Sequence, residues 1–159
     1  MAGHVDSTLE AGRDAIQRHA WKEACDLLGV EDTAKGLSPD DLELLAQAAW
    51  WIGRLGTCIA ARERAYAAFV EASAPRPAAL VALELAKNHF AKGDSSVGTA
   101  WLHRAERLLQ QEPESVEHGY LARLHAVVAF EGQQDFETAI SRTRRALDIA
   151  TRSHRAQSA

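Results

Sequence analysis

Histidine is the residue type in this 159-residue sequence whose spacing most invites a metal-binding or catalytic interpretation. His118 and His125 would share a helix face, but seven residues at about 1.5 Å each separate them by roughly 10.5 Å, too far for one zinc ion. His89 could be a general base beside Glu84 or Glu131 only if the fold brought them together, and a structural role is favoured for it. The sequence has no zinc-protease motif, phosphate loop or nucleophile elbow. We therefore predict no catalytic residue, no metal and no cofactor, and a protein that is not an enzyme.

The composition is that of a soluble globular protein. Apolar residues make up 47% and charged residues 25% of the chain, and no apolar run approaches the roughly 20 residues that span a bilayer. The opening MAGHVDSTLE lacks a basic segment followed by an apolar one, which indicates no secretion signal. Cys25 and Cys58 lie far apart within apparent helices, where free thiols behave as small apolar groups. We expect a cytoplasmic protein without disulfides and without a membrane partner.

Charge is unevenly distributed along the chain. Residues 1–43 hold ten acidic and four basic side chains, whereas residues 142–155 hold five arginines against Asp148. The net charge of −4 argues against general nucleic-acid binding by the whole chain. Opposite charges at the two ends would favour end-on association, although solvated helix faces explain the pattern equally well.

Helix breakers divide the chain into blocks. Pro39, the pair Pro75 and Pro77, and Pro113 open blocks that begin at nearly even intervals along the sequence. A second interruption lies near the middle of each block, at residues 54–56, 92–95 and 132–135. Apolar residues recur every three or four positions between these breaks, and no stretch alternates with a period of two. Each block is therefore expected to be a helical hairpin.

These breaks predict an all-α fold, an α-solenoid of about four antiparallel hairpins with eight helices. We expect a single domain over residues 1–153, hairpins at about 7–29, 39–73, 77–111 and 115–152, and a disordered tail at 154–159. Ser38 and Ser115 resemble N-caps, and residues 29–37 are expected to form a looser connection. The expected core face of the last helix comprises Phe136, Ala139, Ile140, Thr143, Leu147 and Ala150.

Short motifs recur from block to block. The second helices repeat an Arg-Ala pair that begins at Arg64, Arg104 and Arg145, which indicates a period of roughly 40 residues. The sequence resembles tetratricopeptide repeats, through Ala11, Gly12 and Ala15, then Trp21, Ala24 and Leu28 in the first repeat. The last repeat matches with Ala126, Val127 and Phe130, then Phe136 and Ala139. Cys58 and Gly98 stand where the pattern has alanine, and the repeats are longer than the usual length of about 34 residues.

The chain is also similar to the helical-repeat region of actinobacterial LuxR-type transcription regulators. The likeness lies in LLAQAAWWIGRLGTCIAARERAYAAFVEA, WLHRAERLL and EHGYLARLHAVVAFEGQQDFETAI. It implies a sensor or docking arm, which in that family is joined to a DNA-binding helix-turn-helix. The present sequence shows no such motif, so the resemblance implies a free-standing relative or one arm of a larger regulator.

In a helical solenoid the first helix of each hairpin lines the concave face, where partners commonly bind. The groove positions expected from this register are Arg13, Gln17, Glu43, Gln47, Trp50, Lys87, Phe90, Leu124, Val128 and Glu131. Aromatic and charged side chains suit a protein or peptide partner. Trp50 and Trp51 are about 100° apart on a helix, so at least one is expected in the core. Tetratricopeptide domains that grip a carboxylate use Lys, Asn and Arg, and Leu9, Arg13, Glu43 and Gln47 make no convincing clamp here.

The resulting functional prediction is a non-catalytic interaction module that binds a peptide or protein segment. A homodimer is plausible because the last helix presents Phe136, Ile140 and Leu147 at an uncapped end. The alternative is a small-molecule sensor or helical enzyme with a pocket formed by Trp50, His89, Phe90 and Glu131.

Overall fold

Eight α-helices follow one another along the part of the chain that the structure describes. The computed structural model describes the backbone of residues 5–133 and 136–157 and the side chains of residues 8–130, 137–153 and 155. The helices are α1 (Val5–Gln17), α2 (Trp21–Lys35), α3 (Pro39–Trp51), α4 (Leu55–Glu71), α5 (Pro75–Lys92), α6 (Ser95–Leu109), α7 (Val116–Gln133) and α8 (Phe136–Gln157). They pair as consecutive hairpins, which confirms the predicted fold class. The first four helices form one compact unit, Met1–Ser73 (unit 1), and the last four another, Ala74–Ala159 (unit 2).

Small side chains let the helices of unit 1 approach closely. The hairpins α1/α2 and α3/α4 are joined by α3, which packs against both α1 and α2. Ala15, Ala24, Ala46 and Ala65 are fully buried, and so is Leu28. A Cβ atom on Gly12 would lie 2.9 Å from Leu28 Cδ2, so a larger residue where α1 meets α2 would force the Leu28 side chain to shift. The Ala-Gly pair read from the sequence is thus a packing feature.

One turn geometry closes three of the hairpins. His19, Gly53 and Gly93 adopt positive φ values of 57°, 74° and 88°. After each, an amide donates to a carbonyl five residues earlier, from Ala20 to Ala15 at 2.9 Å and likewise in the other two turns. The interval from His19 to Gly53 equals the standard tetratricopeptide period of about 34 residues, whereas the interval from Gly53 to Gly93 is longer. The long period predicted from the sequence is therefore wrong for the first interval.

Unit 2 repeats this arrangement with α5/α6 and α7/α8. Helix α7 packs against α5 and α6, and the core is again built from leucines and alanines, including Leu85, Leu109 and Ala86. The ring of Phe90 lies over Gly98, where an added Cβ would be 2.7 Å from two ring carbons. Gly98 therefore stands in an alanine position of the repeat because Phe90 occupies the space.

The connection between the first two hairpins is more helical than expected. Helix α2 continues through Gly29 to Lys35, because Glu31 is buried and Asp32 binds Arg64 of α4 at 2.6 Å and 2.9 Å. The non-helical connection is then only Gly36 to Ser38. Ser38 caps α3 as the sequence predicts, its Oγ accepting from the Asp41 amide at 3.2 Å.

The expected core face of α8 is largely wrong. Ala139 is buried, but Ile140, Thr143, Leu147 and Ala150 are exposed, and Ile149 is the fully buried side chain. The reason is that, among the described residues of unit 2, α8 packs mainly against α7, so only a narrow stripe of α8 is covered. The Phe136 side chain lies outside the described residues. The helix extends through Gln157, past the residue where the last hairpin was expected to end.

Within the described residues, no helix is both long enough and apolar enough to cross a membrane.

Candidate interaction surfaces

Arg13 of α1 is held by a carboxylate of α3. Its Nε and Nη2 donate to the two Asp41 carboxylate oxygens, each at 2.8 Å, while the Ser38 hydroxyl also donates to Asp41 at 2.6 Å. The Asp41 side chain is only 3% exposed, whereas that of Arg13 is 50% exposed. Hydrogen bonding from Arg13, followed by that from Ser38, holds the pKa of Asp41 below its usual value although burial opposes this. A fixed, half-exposed guanidinium results.

Three other groove positions of unit 1 are open to solvent. Gln17 lies one turn beyond Arg13 on α1, and Gln47 and Trp50 lie on one face of α3. The Trp50 side chain is 39% exposed. Glu43 is different, because its carboxylate lies 3.4 Å from Nε of the buried Arg62 on α4. Arg13, Gln17, Gln47 and Trp50 define what we call the α1/α3 surface.

Trp51 belongs to an aromatic stack that the sequence pattern does not predict. Its ring lies 5.8 Å from Trp21 at 17°, and Trp21 lies 4.9 Å from the ring of His19 at 22°. Trp51 is 60% exposed, so the expectation that Trp50 or Trp51 is in the core is wrong. Both follow the last buried residues of α3, Ala48 and Ala49, where α3 reaches the hairpin turn. The only sequence signal was that each tryptophan adjoins a turn.

The groove positions predicted in unit 2 are mostly engaged within their own hairpins. Lys87 pairs with Glu84 one turn earlier, and Phe90 packs over Gly98. Leu124 is buried and Val128 is half-buried. The Glu131 side chain lies outside the described residues. Among the predicted groove positions described in unit 2, Lys87 and Val128 are only partly exposed, and the aromatic residue, Phe90, packs against Gly98.

The histidines of unit 2 have structural contacts. His118 Nδ1 accepts from the Ser115 amide at 3.2 Å, which leaves Nε2–H to donate to the Leu109 carbonyl at 3.1 Å. This joins the end of α6 to the start of α7. His89 is buried and faces Asp94, with Nδ1 3.7 Å from Oδ2, while Glu84 is paired with Lys87. The pairing of His89 with Glu84 for acid–base chemistry does not form.

His125 of α7 lies against α6. Nε2 is 2.6 Å from Glu106 Oε1, in a direction that does not suit an N–H donor. Burial lowers the pKa of His125, Glu106 opposes that shift, and Arg142 and His103 lower the pKa further. Across the described residues, no three histidine, cysteine or acidic side chains are grouped as a metal site.

An apolar cleft separates the outer sides of α7 and α8, and it is not among the sites predicted from the sequence. Its volume is about 460 Å³, and it is lined by Arg123, Ala126, Val127, Phe130, Ala139, Ile140, Thr143 and Arg144. Phe130 and Ile140 are 55% and 53% exposed. We call this the α7/α8 cleft. The signal for it was the set of apolar residues that we had assigned to the core face of α8.

The described helices form consecutive hairpins, an arrangement that is also found in tetratricopeptide-repeat proteins. Two crystal structures of MamA, a tetratricopeptide-repeat protein, have this fold. One superposes with a TM-score of 0.70 at 16% identity, covering 96% of this chain and 81% of MamA. The other gives 0.67 at 16% identity, covering 96% and 76%. At this identity the likeness shows the fold alone.

No protein-family model and no curated protein sequence matches the chain.

Proposed function

We propose that this chain is a non-catalytic interaction module that binds a peptide or protein segment on the α1/α3 surface of unit 1. The observation that carries the proposal is the exposed Trp50 one turn beyond Gln47 on α3, a helix that packs against α1, where Gln17 and the anchored guanidinium of Arg13 are exposed. A half-exposed tryptophan supplies a large contact area with little loss of side-chain entropy, and the amides satisfy the polar backbone of an extended ligand.

Pre-organisation supports the same surface. Arg13 is fixed by two hydrogen bonds to Asp41, so a partner need not immobilise it on binding. The charge of Arg13 is partly balanced by Asp41, which favours hydrogen bonding to a carbonyl or carboxylate over long-range attraction. The surface therefore suits a mixed polar and apolar segment.

We propose a cytoplasmic, regulatory setting, on the ground of the sequence resemblance to the helical-repeat region of LuxR-type regulators. The tetratricopeptide-like fold supports a role in protein interaction, because this kind of scaffold presents helix surfaces to partners. Shallow grooves open to solvent, such as the α7/α8 cleft, favour a macromolecular partner over a small-molecule substrate. Self-association of the chain stays a prediction that sedimentation velocity tests.

Selection from a random peptide library against the immobilised full chain tests the proposal. The strongest enriched peptide is then measured by fluorescence anisotropy with Trp50→Ala, Gln47→Ala and the control Val30→Ala. Val30 is exposed on α2 and lies outside the α1/α3 surface. We expect about tenfold weaker binding for Trp50→Ala and no change for the control. Enriched peptides that bind Trp50→Ala as tightly as the parent would place the partner elsewhere.

A further inference from the structure

The α7/α8 cleft contains a cluster of apolar side chains that the described helices of unit 2 leave exposed. Arg123, Ala126, Val127 and Phe130 follow the i, i+3, i+4, i+7 spacing of one face of α7. Ile140 of α8 lies across from this face, and the exposed fractions of Val127, Phe130 and Ile140 are 39%, 55% and 53%. Clustered apolar side chains of this kind mark a contact surface more often than scattered ones do.

The packing inside each unit indicates what shape fits such a cleft. Helix α3 lies against both helices of the α1/α2 hairpin, and α7 lies against both helices of the α5/α6 hairpin. In each of these two cases, the helix that follows a hairpin packs against both helices of that hairpin. By the same packing rule, the α7/α8 cleft is shaped for a helix.

Charge at the rim indicates the chemistry of that helix. Arg123 and Arg144 flank the apolar floor, and neither forms an ion pair with the carboxylates that the structure describes. Arg142 and Arg145 are also exposed on α8. In unit 1 the helix that follows a hairpin supplies the missing charge, since Asp41 of α3 binds Arg13 of α1. A helix that completes the α7/α8 cleft would need carboxylates in the same role.

We propose that the α7/α8 cleft docks an acidic amphipathic helix of a partner protein. Two to three turns of such a helix would place apolar side chains at i, i+3 or i+4, and i+7 on Val127, Phe130 and Ile140. Glutamates or aspartates on its flanks would pair with Arg123 and Arg144. This site lies in unit 2 and is independent of the binding proposed for the α1/α3 surface.

A second copy of the chain fits this description less well. The acidic N-terminal region has most of its carboxylates engaged within unit 1, as in Asp14 with Arg18, Asp26 with Lys22, and Asp32 with Arg64. Those carboxylates would have to leave their arginine or lysine partners before they could reach α8. A partner with free carboxylates has no such competing interaction.

The probe for this proposal is a fluorescein-labelled helical peptide of about 16 residues with leucines at i, i+3, i+7 and i+10 and glutamates on both flanks. A matched peptide carries lysine in place of each glutamate. Anisotropy with the full chain is expected to give a dissociation constant on the order of 10 μM for the glutamate peptide, and at least about tenfold weaker binding for the lysine peptide.

Two variants locate the binding. Arg123→Glu combined with Arg144→Glu is expected to weaken the glutamate peptide about tenfold or more and to strengthen the lysine peptide. The control, Arg107→Glu combined with Arg155→Glu, makes the same change in net charge at exposed positions outside the cleft. Ile140→Ser, at an exposed position, is expected to weaken the glutamate peptide without altering the circular dichroism of the protein.

Several results would overturn the proposal. These are no binding of the glutamate peptide, equal binding of both peptides, or equal loss in the two charge-reversal pairs. Concentration-dependent dimerisation in sedimentation velocity that Ile140→Ser abolishes would assign the cleft to a second copy instead. Because Trp50 lies in unit 1, failure of this test leaves the Trp50-dependent binding to be judged by its own measurement.

Discussion

In unit 1 each of the five arginines lies within ion-pair distance of a carboxylate, whereas Arg142, Arg144 and Arg145 of α8 in unit 2 have no such partner among the described residues. Three of the unit 1 pairs join the first hairpin to the second. These pairs are Arg13 with Asp41, Arg54 with Asp26 and Arg64 with Asp32.

The contrast follows from what packs on each hairpin. The α1/α2 hairpin is covered by α3, which brings Asp41 to Arg13. The larger apolar side chains of the α7/α8 cleft and its flanking arginines stay exposed. The two proposed interaction surfaces therefore differ in character. The α1/α3 surface is polar, aromatic and anchored, and the α7/α8 cleft is apolar with a positive rim.

The largest expected effect is on the free energy of unfolding, and it should be similar for a core substitution in either unit. Leu28 in unit 1 and Leu85 in unit 2 are fully buried. Replacing either by alanine should lower the free energy of unfolding by about 3 kcal/mol, because removing a fully buried leucine side chain leaves a cavity in the core. Urea unfolding followed by circular dichroism measures this, and hydrogen exchange shows which unit is loosened. A loss below about 1 kcal/mol at one site would mean that the core of that unit is the weaker one.

Close helix contact in unit 1 predicts opposite effects at two glycines. Gly12→Ala should lower the free energy of unfolding by about 1–2 kcal/mol, because the added methyl group meets Leu28. Gly29→Ala is the matched control in α2, with no atom within 4 Å of the added Cβ. It should stabilise the helix by about 0.5–1 kcal/mol. Thermal unfolding compares the two, and equal shifts of the midpoint would show that α1 and α2 can separate without cost.

The difference in arginine pairing predicts a smaller contrast. A double-mutant cycle on Arg64 and Asp32 should give a coupling of about 0.5 kcal/mol after allowance for solvent screening. Arg145→Ala on α8 should change the free energy of unfolding by less than about 0.5 kcal/mol, because no described carboxylate is lost as a partner. High salt should weaken the coupling between Arg64 and Asp32 and leave the effect of Arg145→Ala unchanged. A cycle that gives zero coupling would remove the ionic part of the contrast.

The two units are expected to lose stability in different pH ranges, because different groups take up protons in each. In unit 2, burial lowers the pKa of His125, so the unfolded chain takes up a proton near the usual 6.5 while the folded chain resists it. Stability should therefore fall as the pH drops below about 6.5, and His125→Gln should flatten that dependence. Urea midpoints at several values between pH 5.5 and 7.5 measure the difference. Identical slopes for parent and variant would exclude a contribution from His125.

In unit 1 the corresponding groups are carboxylates. Hydrogen bonds from Arg64 to Asp32 and from Arg13 to Asp41 lower the pKa of each acid below its usual value of 3.8. Their stabilisation is complete above that value and is lost as the pH falls through the lower folded values. Asp32→Asn should therefore move the acid unfolding of unit 1 to higher pH, as followed by fluorescence of the exposed tryptophans.

Helix existence was predictable because it depends on local chemistry. The prolines, the glycine-containing breaks and the apolar spacing of three and four residues indicated the hairpins, and Ser38 was correctly identified as a cap. Helix ends were less predictable. Gly29 lies inside α2 because tertiary pairing of Asp32 with Arg64 outweighs the low helix propensity of one glycine.

The candidate site was predictable only in unit 1. Spacing put Arg13 and Gln17 on one face of α1, and Gln47 and Trp50 on one face of α3, and all four are exposed. It could not show that Phe90 would turn onto Gly98, that Leu124 would be buried, or that Trp51 would stack on Trp21. Each of these depends on which neighbouring helix covers a face, and one-dimensional periodicity does not contain that information.

By itself, then, the sequence determined the all-α hairpin architecture and the charge difference between its two ends, since backbone breakers and helical periodicity act within a few residues. Tertiary structure alone decided which charges are neutralised and which apolar residues stay exposed. Arg13 and Arg144 are the same side chain in similar helices. The first meets Asp41 of a following helix, and the second lies at the rim of a cleft that no described helix of its unit covers.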